Sequence, residues 1–368
     1  MIRMTLWALG AGLIALAGGL HAPGSARAAD STVTVFTDVL EPGGYRDVPG
    51  ASVRLAAAPG QRYVLHADRF AMRTVEPLTG RDYLGTTTGL FCSAEGKPNG
   101  AHYGNNVVPV LNETVEPAVR WVFEAPHTSG VRVYTCTVAV DFYSSNAPVG
   151  TDVRVTSLTG RVVLHAEGEH GGVAHWGLPA TLDPVQQAWD VVSPGATAVA
   201  LDRTYEPVSA TRPAVAVRQD AQLSTCKRQT PYRACPIGSH QYSEVSTWVQ
   251  AQPVDRAGGV CGPPLRGPVS RARISAAEHH RTMPNALELR KRDLPAGCER
   301  LRLSLHVQVR DGDFVLVHGG WSTAGRIATA YSHGYAYEYR PGSSLADRLP
   351  WAAPVTAAPV TVPAAASR

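Results

Sequence analysis

The sequence predicts an all-β protein built as two consecutive antiparallel β-sandwich domains, related by an internal duplication and stapled by disulfides. Three observations carry this: short runs that alternate apolar and polar residues, a weak self-similarity at a constant offset, and six cysteines.

The alternating runs lie at 32–36, 52–55, 62–66, 120–123, 131–140, 153–156 and 161–165, punctuated by Gly, Pro, Asn and Asp. Period two sends successive side chains to opposite faces, so one face closes a core while the other stays wet. The self-similarity recurs near both ends of the unit. Glu41-Pro42 falls on Glu206-Pro207, and the segment 157–162 falls on 322–327, at an offset of about 165 residues. On that reading domain one covers 29–178 and domain two 196–342, the latter with an insertion near 262–292. The joining segment 179–195 contains Asp183 and Pro184, an N-cap and first-turn pair that predicts a short helix over 183–189. A second helix is expected over 275–280. Asp311-Gly312-Asp313 reads as a turn between two strands.

The ends are of a different kind. Arg3, an apolar run over 6–20 and Ala26-Arg27-Ala28 read as a cleavable export signal, 1–28, shorter than a membrane span requires. Residues 343–368 are Pro/Ala-rich and read as a disordered tail. A secreted protein is expected, extracellular, or periplasmic if the source has an outer membrane. Losing Arg3 and Arg27 lowers the net charge from +4 to +2, and no dense basic stripe remains to neutralise phosphates. Nucleic acid is therefore not an expected partner. Arginine so outnumbers lysine that a GC-rich bacterial genome is the natural source.

The even cysteine count after an export signal favours disulfides over thiols, and no Cys-x-x-Cys occurs. Cys92 and Cys136 are the only pair of the first domain. Cys226, Cys235, Cys261 and Cys298 allow three connectivities; the duplication favours 226 with 298 and 235 with 261. Tyr134-Thr135-Cys136 resembles the tyrosine-x-cysteine of an immunoglobulin F strand. The core tryptophan and cysteine spacing of that fold are missing, so the resemblance implies a sandwich and names no family.

Chemistry has three candidate places. His165, His170 and His175, with glutamates and glycines between them, are the densest set of metal-ligand residue types, although a spacing of five puts successive histidines on opposite strand faces. Ser224-Thr225-Cys226-Lys227 matches Ser-x-x-Lys only formally, because its surroundings are β-like and a cysteine sits inside it. Tyr331, His333, Tyr335, Tyr337 and Tyr339 alternate with small or polar residues, so in a strand all five rings share one face. Such rings either stack sugars or pack on a core. With no catalytic constellation, the expected function is a non-catalytic binding or surface protein for a polysaccharide or cell-envelope component. The alternatives are a secreted, metal-assisted hydrolase and a structural subunit of an envelope assembly. No cofactor is indicated.

Overall fold

The computed structural model describes residues 31–34, 46–67, 70–74, 84–94, 97–108, 120–127, 130–144, 152–157, 164–167, 171–183, 188–226, 235–236, 238–275, 280–320, 327–329 and 331–341. The export signal, the tail, His170, Pro184 and most of the segments that suggested duplication lie outside them.

The described chain is strand after strand. The first half gives β1 (Ser31–Thr34), β2 (Arg46–Ala57), β3 (Arg62–Ala67), β4 (Phe70–Thr74), β5 (Leu84–Ala94), β6 (Lys97–Val108), β7 (Arg120–Glu124), β8 (Arg132–Ser144), β9 (Asp152–Ser157), β10 (Leu164–Glu167) and β11 (Gly171–Gly177). The second gives β12 (Ala188–Val192), β13 (Thr197–Tyr205), β14 (Ala214–Thr225), β15 (Tyr242–Val254), β16 (Leu265–Arg266), β17 (Ser270–Ser275), β18 (His280–Arg290), β19 (Arg300–Gly312), β20 (Val315–His318), β21 (Ile327–Thr329) and β22 (His333–Tyr339). A single 3-10 turn, Lys291–Asp293, interrupts them.

The sheets of the two halves run in corresponding orders. β2-β8-β5-β6 answers to β13-β19-β15-β16, β10-β3-β7 to β22-β14-β18, and β1-β9-β4 to β12-β20 and the end of β14. The twelve-residue β14 does alone what β3 and β4 do separately. Its first seven residues pair with β22 and its last three with β20. At that change of partner the Gln222 amide donates to Ser332 Oγ at 3.0 Å, which replaces the ladder bond. Each half also lends one strand to the other: β11 pairs with β22, and β21 lies parallel to β6.

Period two dictates how these sheets stack. Along β14, Val215, Val217, Ala221 and Leu223 meet Val245, Val249, Leu301, Leu303, Leu305 and Val307 of β15 and β19 in the larger core. On the first-half side, Leu65 of β3 and Phe123 of β7 are buried inward, and the Phe123 ring lies 4.9 Å from Tyr134 of β8. The opposite faces of these two inner sheets then meet back to back. Val64 and Val122 pack on Ala214, Ala216, Tyr335, Tyr337 and Tyr339.

The structure corrects the local expectations in two places. No α-helix occurs among the described residues, and Ala188–Val192 is a strand bonded to β20, with Asp183 and Ala188 exchanging both backbone hydrogen bonds. The run Trp189-Asp190-Val191-Val192 has a strand partner, which outweighs the capping signal at Asp183. Likewise Ser275 closes β17 and His280 opens β18, so both ends of the second expected helix are strand; 276–279 lie outside the described residues.

The disulfides are Cys92–Cys136, as expected, then Cys226–Cys235 and Cys261–Cys298, which overturns the favoured pairing. β15 and β19 are antiparallel, so Cys261 after the one and Cys298 before the other meet at the same end. Cys226, bonded through its amide to Phe314 O, sits at the opposite end. Cys92 and Cys136 are register partners on adjacent strands of one sheet, whereas the immunoglobulin bridge joins two sheets. Of Asp311-Gly312-Asp313, read as a turn, Asp311 and Gly312 still pair with β15, and the bend between β19 and β20 falls at Asp313. Gly312 has φ +89°, and a Cβ there would stand 2.2 Å from Tyr242 O.

Candidate functional site

The tyrosine stripe forms one face of β22 and is buried. Tyr335, Tyr337 and Tyr339 are 2%, 3% and 6% exposed, His333 is fully buried, and Tyr331 is half-buried beside His318. Consecutive ring centroids lie 6.2 and 6.0 Å apart, facing the first half of the chain. Tyr339 OH donates to Glu288 at 2.8 Å. Rings enclosed in this way have no free face for a sugar, so in this conformation the stripe packs the two halves together.

The same contact holds the strongest buried electrostatics. Arg120 of β7 donates through Nε to Asp220 Oδ2 of β14 at 2.7 Å, pairs with the second carboxylate oxygen through Nη2, and reaches Asn285 O at 3.1 Å. His333 Nε2 lies 3.7 Å from the same carboxylate. His175 of β11 stands edge-on to Trp121 at 4.4 Å and to His333 at 5.6 Å. Burial, then His333 and Arg62, hold the His175 imidazole well below its ordinary pKa. Burial and Arg120 push His333 down to about 3.

Of the expected metal histidines, His175 therefore belongs to an aromatic contact, His165 pairs in register with His66, and His170 lies outside the described residues. Among the described residues, no three His, Cys, Asp or Glu side chains converge as a metal site.

Ser224 has a different neighbourhood from the one Ser-x-x-Lys implied. Its Oγ lies 2.7 Å from His280 Nδ1 and 2.6 Å from His318 Nε2, joining β18, β14 and β20. A single hydroxyl proton serves one imidazole while the oxygen accepts from the other. Ser224 is 0% exposed, and a nucleophile needs access to its substrate, so this arrangement acts as a tie between strands.

The outer face of the β13-β19-β15-β16/β17 sheet carries a row of aromatic and arginine side chains. Alternation on β15 puts Val245, Val249 and Ala251 in the core and Tyr242, Glu244, Ser246, Trp248 and Gln250 on the outer face, where Ser246 and Trp248 are themselves covered, 3% and 9% exposed. Trp248 is the register partner of His306 on β19, and their rings stack at 5.0 Å, 7° from parallel. The Arg266 guanidinium covers the Trp248 ring, 3.9 Å from its centroid. Burial, then Arg266, lower the His306 pKa against the opposing pull of Asp202, which keeps the stacked imidazole neutral near pH 7. Beside this stack, Arg273 lies 3.9 Å over the Tyr242 ring, whose hydroxyl donates to Asp311 at 2.9 Å. Arg271 is exposed between them, and Val199, 49% exposed, extends the face across β13. The sequence did carry one signal for this: Arg271-Ala272-Arg273-Ile274 alternates as a strand, inside the segment read as an insertion.

No protein-family model matches the chain, and no curated protein does. Among solved structures, a chain of the T13 IBDV viral particle is 10% identical with TM-score 0.27, covering 87% of this chain and 78% of its own. The N-terminal CBM22-1–CBM22-2 tandem domain of Paenibacillus barcinonensis Xyn10C is 5% identical with TM-score 0.23, covering 85% and 99%. The insecticidal delta-endotoxin Cry8Ea1 of Bacillus thuringiensis is 6% identical with TM-score 0.21, covering 80% and 54%. Likenesses of this size carry no argument about what the chain binds or does.

Proposed function

We propose that this chain is an exported, non-catalytic binding protein, a duplicated pair of β-sandwiches that engages a polysaccharide or cell-envelope component through the solvent face of the second. The observation that carries it is the outer face of β15 and its neighbours, where Arg266 and His306 enclose the 9%-exposed Trp248 and the exposed Arg266, Arg271 and Arg273 border it. Planar groups held in register on a rigid sheet lose little side-chain freedom on binding, and the neighbouring, partly exposed Gln250 supplies a hydrogen-bonding group suited to hydroxyls. Three disulfides suit an oxidising compartment outside the cytoplasm.

The test is retention of the purified chain on a panel of insoluble polysaccharides and cell-wall preparations, with Trp248→Ala as the comparison. Retention that falls at least about tenfold in the variant is expected, because Trp248 holds Arg266 and His306 in place. No retention on any preparation, or retention indifferent to Trp248, sinks the proposal.

A further inference from the structure

We infer that the ligand of this face is an acidic polysaccharide, a linear glycan bearing carboxylates or sulfates, held along the row Arg266, Arg271 and Arg273. This rests on the proposed binding face and adds the charge of what it binds. Pairing with β15 sets the row: Arg266 lies opposite Gln250, Arg271 opposite Ser246 and Arg273 opposite Glu244. Six residues of strand span about 20 Å, the length of several sugar units.

What distinguishes these arginines is their chemistry. Among the described residues none of the three guanidiniums lies within ion-pair distance of a carboxylate or donates a hydrogen bond, although Arg273 acts through space on Asp311 and sits opposite Glu244, whereas Arg256 lies on Glu299, Arg300 on Glu206 and Arg302 on Asp202. Two of the three are nonetheless held in place, Arg266 over Trp248 and Arg273 over Tyr242. A guanidinium fixed by an aromatic ring keeps its planar N–H fork pointing outward, and that fork matches the two oxygens of a carboxylate or sulfate. Edge strands also use arginine to discourage sheet-to-sheet pairing. That role needs charge alone and leaves unexplained why two of the three lie on aromatic faces.

The experiment is a binding titration of the full chain with soluble polygalacturonate, its fully methyl-esterified form, dextran sulfate and unmodified dextran, with a duplex DNA oligonucleotide as a charge control. Binding to polygalacturonate or dextran sulfate at least about tenfold tighter than to the uncharged match is expected, and whichever binds identifies the oxyanion. It should weaken with salt and fall about tenfold or more in Arg266→Gln/Arg271→Gln/Arg273→Gln. Should that variant not fold, Arg271→Gln alone, at a position that covers no ring, is expected to lose a smaller part of the affinity. Equal binding to charged and uncharged matches, or to DNA as tightly as to the glycan, overturns the acidic-glycan inference and leaves the binding face standing. Binding to neither, together with no retention in the panel, removes both.

Discussion

The two halves of the chain use the same strand order and hold it differently. In the first, the central pair β5–β8 is bridged through its core by Cys92–Cys136, both buried. In the second, the pair β15–β19 stacks Val249 on Leu305 and Ala251 on Leu303, with both disulfides out at the sheet ends. The outer faces diverge as well. Arg54, Thr135 and Val133 stand exposed on the first sheet, while the second carries the Arg266–Trp248–His306 stack.

The comparison breaks most sharply where the halves join. Asp220→Ala leaves Arg120 buried without its carboxylate, and about 3–5 kcal/mol of stability should be lost in urea unfolding. Cys92→Ala/Cys136→Ala opens a loop with sequence separation 44 and should cost about 4 kcal/mol by chain entropy, against about 2.6 kcal/mol for Cys226→Ala/Cys235→Ala with separation 9. Calorimetry of the two double variants should therefore rank the first below the second; the reverse order would show that the first half does not depend on its bridge.

Acid should sharpen the same boundary. His333 and His175 have folded pKa values below their ordinary 6.5, so the native state binds fewer protons than the unfolded chain. Their contribution to stability is complete above pH 6.5 and declines as pH falls toward about 3, with a loss of about 2 kcal/mol from His333 at pH 5. His333→Gln should flatten the dependence of the urea midpoint on pH between 7.5 and 5; an unchanged slope would contradict the assignment.

The smallest expected contrast compares two glycines. Gly130 in the first half has φ +83° with open space around its Cβ direction, so Gly130→Ala should cost only the left-handed penalty, about 1–2 kcal/mol. Gly312→Ala meets Tyr242 O as well and should cost more. Equal losses in thermal unfolding would mean that the β19–β20 turn yields.

Period two made the fold class legible, because Val53 to Leu55, Tyr134 to Val138 and Val153 to Thr156 alternate cleanly enough to be read as strands. It could not say which face was wet. Tyr331 to Tyr339 alternates as predicted, but a neighbouring sheet covers that face, and no local signal announces a partner more than 200 residues away in sequence. Trp248 and Arg266 had the converse problem: each is an ordinary strand residue until the β15–β19 and β15–β16 registers set Arg266, Trp248 and His306 in one stack. The helix expected at Asp183 failed for the same reason, since β20 waits for 188–192 and a capping signal knows nothing of it.

Hydroxyl-radical footprinting of the chain with and without saturating polygalacturonate tests the account most directly. Protection of Tyr242, Trp248, His306 and the 265–275 segment, with the 333–339 strand equally protected in both states, is the predicted result. Protection confined to the first half, or a footprint that leaves Trp248 unchanged, would contradict it.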